Sequence, residues 1–140
     1  MLGTWKGKYK YDLKRNAKFN NKEVEFIVEI TEFEGENFIG TVRDMDENYG
    51  TRGLGTIEGK LNGNNIEFIK QMPVKSISFN NGKKIEFENE KHDPVYYSGT
   101  LNSEGSYSGK WKIKGGIGFK RKMFIISFGT KGIWEMSKIK

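Results

Sequence analysis

All three tryptophans of this 140-residue chain stand in the same three-residue frame, Gly-x-Trp. The frames are Gly3-Thr4-Trp5, Gly109-Lys110-Trp111 and Gly132-Ile133-Trp134. Residues two apart in a β-strand point to the same face of the sheet, so each frame puts a glycine beside a large ring. A position without a side chain lets the sheet curl and leaves room for that ring. The pattern is typical of a small, strongly curved β-barrel.

Alternation of apolar and polar residues along the chain predicts about nine or ten short strands and no helix. Asn62-Gly63 predicts a tight hairpin, because this dipeptide readily adopts positive φ angles. Most connections have hairpin length, which favours an up-and-down order of neighbouring strands. Closing such a sheet removes its exposed edges. We therefore predict an all-β fold with one domain over residues 1–140, a single antiparallel up-and-down barrel of about 8–10 strands. A two-sheet sandwich is the alternative.

The composition excludes several classes of chemistry. The chain has no Cys, which removes thiol catalysis, cysteine-bound zinc and disulfides. With a single histidine, the chain lacks the catalytic residues or metal ligands that most hydrolases and metalloenzymes need. No apolar run approaches about 18 residues, so no transmembrane helix is predicted. No signal peptide is visible, so a cytoplasmic location is the default expectation, with a trimmed leader as the alternative.

The first strand, with Gly3-Thr4-Trp5-Lys6, resembles the start of calycin barrels: lipocalins, fatty-acid-binding proteins and avidins. Tyr97-Ser98-Gly99 and Gly109-Lys110-Trp111 are similar to elements of later strands in avidin-like members. The resemblance implies a lipocalin-like barrel, with a bacterial origin as part of that expectation, in which Trp5 plugs one end. It also implies a basic residue across Trp5. The candidates are Arg121, Lys131 and Lys138.

The resemblance implies no particular ligand. The biotin-binding constellation of avidins is not evident, and the carboxylate clamp and helical lid of fatty-acid carriers are absent. Haem-binding barrels need a placed histidine, whereas His92 lies in a polar loop beside Asp93. That adjacent pair is not accompanied by a nucleophile motif, so it does not indicate catalysis.

Inward-facing positions hold several groups that need polar partners. Buried Tyr hydroxyls and Trp N–H groups require hydrogen-bond partners, and a buried Lys requires an acceptor. Such groups converging inside a barrel would suit a small amphipathic or anionic ligand. The predicted ligand-binding residues are Tyr9, Tyr11, Lys70, Met72, Tyr97 and Trp111. The alternative is a filled core, because an eight-stranded barrel is about wide enough for its own side chains.

Two loop segments offer weaker candidates. Residues 44–50, Asp-Met-Asp-Glu-Asn-Tyr-Gly, have the oxygen spacing of a calcium loop, but the EF-hand positions for glycine and the final glutamate are not matched. We expect a solvated acidic turn there and no metal. Residues 114–122 combine a Gly-rich stretch, which should interrupt the sheet, with a basic cluster. A solvated connection is expected, with a phosphate site as the alternative.

The chain carries 24 basic and 18 acidic residues, a formal net charge of +6. Part of this charge forms two lysine stripes on outward faces. They comprise Lys6, Lys8 and Lys10 in one strand and Lys110, Lys112 and Lys114 in another. Glu23, Glu25 and Glu29 on the neighbouring strand offer cross-strand ion pairs. Aromatic residues point inward, away from the stripes, which argues against nucleic acid as a partner.

These patterns lead to a functional hypothesis: a non-enzymatic, lipocalin-like barrel that binds a small, partly apolar molecule inside, with no cofactor. A structural or protein-interaction barrel with a filled core is the alternative, and a barrel enzyme is the third. In a closed barrel the terminal strands should meet. Trp5 and Trp134 are then expected to be neighbours at the seam, which would leave Trp111 free to serve a ligand.

Overall fold

The computed structural model describes the chain in ten segments. They are residues 1–12, 22–45, 50, 53–73, 75–78, 84–87, 93–114, 116–120, 123–127 and 130–139. They form twelve β-strands, numbered in chain order, and no helix long and apolar enough to cross a bilayer.

Eight of the strands close into an antiparallel barrel in the order β1-β12-β9-β8-β5-β4-β3-β2. They are β1 (Gly3–Tyr11), β2 (Glu23–Glu34), β3 (Asn37–Asp44), β4 (Leu54–Asn62), β5 (Asn65–Gln71), β8 (Val95–Leu101), β9 (Tyr107–Ile113) and β12 (Thr130–Lys138). The other four form two separate hairpins. These pair β6 (Lys75–Ser78) with β7 (Lys84–Phe87), and β10 (Gly116–Lys120) with β11 (Met123–Ser127).

The predicted all-β, up-and-down antiparallel barrel is confirmed, and the sandwich is excluded because β1 pairs with both β2 and β12. One local prediction is wrong in part. The barrel sheet is interrupted at the Gly-rich segment, as predicted, but the segment forms β10 in a separate hairpin, where Gly116 pairs with Ser127 of β11. Glycine weakens a strand without forbidding one, and the facing segment Met123–Ser127 provides a paired edge.

The two ends of the barrel differ. At one end, called the turn end, β2–β3, β4–β5 and β8–β9 are joined by tight turns at Gly35, Gly63 and Gly105, with φ of 63°, 61° and 84°. The predicted Asn62-Gly63 hairpin is confirmed. Because the strands alternate in direction, every longer connection leaves from the opposite end, called the loop end. These connections span 12–22, 45–53, 72–94 and 114–129, and the last two carry the hairpins.

The two late Gly-x-Trp frames interlock across β9 and β12. Gly132 lies opposite Trp111, and Gly109 lies opposite Trp134. A Cβ on Gly132 would stand 2.6 Å from both Cε2 and Nε1 of Trp111, so this ring lies directly on the glycine. Trp111 Nε1 donates to the Lys10 carbonyl at 3.1 Å. Gly132 therefore makes room for the Trp111 ring, whereas a Cβ on Gly109 would meet the β8 backbone at Ser98 and Gly99.

The terminal strands meet, as predicted, but Trp5 and Trp134 are not neighbours at the seam. The register pairs Trp5 with Lys138 and Trp134 with Tyr9. Trp5 lies near the turn end, where its Nε1 donates to the Met1 carbonyl at 2.9 Å. The sequence could not supply this register, because it depends on how far the strands are staggered when the barrel closes.

Candidate functional site

A buried ion pair lies inside the barrel, toward the loop end. Asp44 ends β3 and Lys70 is the last but one residue of β5, and each is only 3% exposed. Lys70 Nζ is 2.6 Å from Asp44 Oδ1, and Tyr9 Oη of β1 donates to Asp44 Oδ2 at 2.8 Å. The three strands are not adjacent in the sheet, so these contacts cross the interior.

Strand periodicity explains why polar side chains enter an apolar interior. Lys70 continues the inward row of Ile66 and Phe68 in β5, and all three are buried. Asp44 continues the row of β3, where alternate positions are buried from Phe38 onward. In each strand, the last inward-facing residue before the loop end is the charged one: Asp44 in β3 and Lys70 in β5.

Aromatic rings surround the pair. The ammonium of Lys70 lies 4.7 Å from the centre of the Tyr9 ring and 5.9 Å from that of Phe26, within range of a cation–π attraction. Trp111 meets Tyr9 and Tyr11 edge to face, with centroids 5.7 and 5.2 Å apart. The site is thus a charge pair enclosed by aromatic surface.

Four of the six predicted ligand-binding residues come together in one cluster at the loop end. They are Tyr9, Tyr11, Lys70 and Trp111. Tyr97 lies deeper, stacked on Phe68 at 4.6 Å. Met72 is fully buried beyond the end of β5, where its Sδ lies over Gly55 of β4. Whether any of them binds a ligand stays a prediction.

Two sequence expectations about this region need correction. The sequence predicts that Trp111 is the ring left free for a ligand, but its N–H group is bonded to Lys10 and its ring is packed. The sequence also predicts Asp44 in a solvated loop, whereas it is an interior residue. A signal for the inward position is present, because the inward alternation Phe38, Gly40, Val42 reaches Asp44 in the next step.

Burial and charge act together on the tyrosines of this cluster. Burial raises the pKa of Tyr9 and Tyr97 well above the usual value, and the nearby carboxylate of Asp44 raises it further. Burial also raises the pKa of Tyr11. All three hydroxyls therefore stay protonated at neutral pH and act as hydrogen-bonding groups.

This shift predicts an alkaline limit to stability. A folded-state pKa above the unfolded value contributes stability that is fully present below about pH 10 and is lost as pH rises through the folded pKa. We expect the free energy of unfolding to fall above about pH 10. Phenolate absorbance measures the effect: the six tyrosines should all titrate normally in urea, whereas the native chain should show fewer phenolates at the same alkaline pH. Tyr9→Phe should remove one late titration, and coincident native and unfolded curves would contradict the expectation.

The other candidate residues lie partly outside the described ranges. Asp46, Glu47, Asn48 and Tyr49 of the acidic loop lie outside the described residues, as do Arg121 and His92. Asp44 of that loop is held by Lys70 and Tyr9. Over the described ranges, no group of three His, Cys, Asp or Glu side chains could hold a metal ion. Lys138 lies opposite Trp5 and is exposed, whereas Lys131 lies near the loop end.

The outer lysines fall into two different environments. Lys6, Lys8 and Lys10 form the predicted ion pairs with β2, at 3.4 Å from Lys6 to Glu25, 3.4 Å from Lys8 to Glu23 and 3.2 Å from Lys10 to Glu23. Hydrogen bonds from Lys10 and Lys8 hold the pKa of Glu23 below its usual range. In the second stripe, Lys110 and Lys112 lie on β9 and Lys114 follows its end, and β12 separates β9 from β1.

On this second stripe, Lys112 lies directly opposite Lys131 on the exposed face. Like charges directly opposite each other in a sheet are destabilising. We expect Lys112→Glu to raise the free energy of unfolding by about 0.5 kcal/mol, because it replaces repulsion from Lys131 by a cross-strand ion pair, and the other cross-strand neighbour, Tyr96, is uncharged. Urea unfolding at low and high salt measures this. Lys112→Gln is the control that removes only the repulsion, and a Glu variant no more stable than the Gln variant at low salt would contradict the expectation.

The fold and site define the class of protein: an eight-stranded, antiparallel, closed β-barrel with a buried, charge-paired aromatic cluster toward its loop end. This architecture is compatible with a calycin-like fold. Comparisons of the chain with protein-family models, curated proteins and solved structures gave no match.

Proposed function

We propose that this barrel is a calycin-type, non-enzymatic binding protein that takes up a small, partly apolar molecule through its loop end. The observation that carries the proposal is that a buried polar cluster and the long connections lie at the same end of the barrel. The Asp44–Lys70–Tyr9 cluster lies toward the end from which all four long connections leave. Barrel mouths and loops on a rigid scaffold are the usual places for ligand sites.

Energetics support a role for the ion pair beyond folding. A buried ion pair gains little net stability, because desolvation of both charges offsets their attraction, and apolar residues of similar size often do as well. The pair orients Tyr9 through its hydroxyl, and the Tyr9 ring contacts those of Tyr11 and Trp111. A ligand with a polar head group beside the pair and an apolar body against the half-buried Tyr11 ring would match this end of the barrel.

A second candidate function is a structural or protein-interaction barrel with a filled core. It is favoured by the way Asp44, Lys70 and Tyr9 satisfy one another. Two apolar side chains exposed on the outer wall, Ile69 at 42% and Ile133 at 54%, also favour an interaction surface. This candidate predicts self-association that depends on concentration and no retained small molecule.

Native mass spectrometry and tryptophan quenching with fatty acids, retinoids and small heterocycles test the proposal. We expect at least one retained mass with saturable quenching. Tyr11→Leu, at the half-buried ring of the loop end, should weaken that ligand by about tenfold, since one packed aromatic contact is worth about 1 kcal/mol or more. Tyr107→Leu, near the turn end, is the matched control and should bind as the original chain does. No retained mass and no saturable quenching would overturn the proposal.

A further inference from the structure

We infer that the ligand of this barrel carries no net charge: an uncharged molecule with a hydrogen-bonding head and an apolar body. The inference rests on the proposed function and specifies the chemical class of its ligand. Its basis is the charge balance of the interior.

The interior charges of the described residues cancel. Lys70 and Asp44 are the two charged side chains among the buried residues of that part of the chain, and they face each other at 2.6 Å. Their side chains are 4% and 0% exposed, so solvent screens neither of them. The site presents a dipole to a ligand and no uncompensated charge.

A charged ligand would disturb this balance. A carboxylate entering beside Lys70 would have to share the ammonium with Asp44, and an ammonium entering beside Asp44 would have to share the carboxylate with Lys70. Either way one charge is left without a partner in a desolvated interior, which is strongly unfavourable. A charged ligand should therefore bind about 100-fold more weakly than an uncharged ligand of the same skeleton.

An uncharged polar head avoids that penalty. Amides and alcohols donate and accept hydrogen bonds, as the hydroxyls of Tyr9 and Tyr11 do. The half-buried ring of Tyr11 offers apolar surface to the rest of the molecule. The lining thus suits primary amides, alcohols and uncharged heterocycles.

Matched probes on the original chain test the inference without any substitution. The probes are octanamide, octanoate and octylammonium, together with retinol and retinoate, measured by titration calorimetry and native mass spectrometry at neutral pH. We expect octanamide or retinol to bind and their charged counterparts to bind about 100-fold more weakly. Binding of octanoate, retinoate or octylammonium as tight as that of the uncharged counterpart overturns the inference and leaves the proposed function standing.

Variants that alter the interior charge provide a second test of the inference. Asp44→Asn leaves the Lys70 ammonium without its carboxylate, so the preference should move toward octanoate by at least about tenfold. Lys70→Met leaves the Asp44 carboxylate, so the preference should move toward octylammonium. Unchanged preference in two folded variants overturns the inference. If no probe binds any chain and the wider panel is also empty, the proposed function fails, and the inference with it.

Discussion

Lys70→Met is expected to lower the free energy of unfolding by about 3–5 kcal/mol. Methionine has nearly the volume of the lysine side chain, so the lost stability reflects the lost charge. The Asp44 carboxylate, whose side chain is 0% exposed, would keep the Tyr9 hydrogen bond but lose its counter-ion at 2.6 Å. An uncompensated charge in a desolvated interior accounts for most of the cost.

Removing both charges should recover much of this loss. In the double variant Asp44→Asn/Lys70→Met, the amide oxygen can still accept from Tyr9, and no charge stays buried. We expect the double variant to be more stable than Lys70→Met by about 2 kcal/mol, because the second substitution removes the uncompensated carboxylate.

Urea unfolding of the four chains of this cycle measures the coupling. Lys60→Met is the matched control, because Lys60 is exposed on β4, and it should change stability by less than about 0.5 kcal/mol. Additive effects of the two interior substitutions would contradict the description of Asp44 and Lys70 as one paired unit.

Gly132→Ala is expected to cost about 1–3 kcal/mol or more, the range for overpacking a closely packed interior. The new methyl group would collide with the Lys10 carbonyl and with the Trp111 indole, 2.6 Å from Cε2 and Nε1. The carbonyl belongs to the backbone of β1, so it cannot swing aside. Trp111 would also be pushed from its 3.1 Å hydrogen bond to Lys10.

Chemical denaturation measures the loss, and the indole N–H resonance of Trp111 reports the broken hydrogen bond. The control is Ile133→Ala on the same strand, where the side chain is 54% exposed, with an expected change within about 0.5 kcal/mol. A Gly132→Ala variant as stable as the original chain, with an unshifted indole resonance, would contradict the tight approach of β1, β9 and β12.

Much of the site is within reach of sequence reasoning. Alternation puts Tyr9, Lys70 and Trp111 on inward faces, and the structure agrees. Asp44 continues the inward alternation of β3 but is itself charged and opens the acidic segment 44–47, so the predicted loop begins one residue too early. The pairing of Lys70 with Asp44 spans 26 residues and crosses the barrel, and no local pattern encodes it.

Alternation and turn residues predict the eight barrel strands, their inward and outward faces and the tight turns, because these depend on neighbours one or two residues away. Which residues meet across the barrel is a property of the tertiary structure. It matched Gly132 with Trp111, separated Trp5 from Trp134 and brought Asp44 to Lys70. The reason is that register and cross-barrel contacts follow from the stagger and closure of all eight strands at once, a property of the whole sheet.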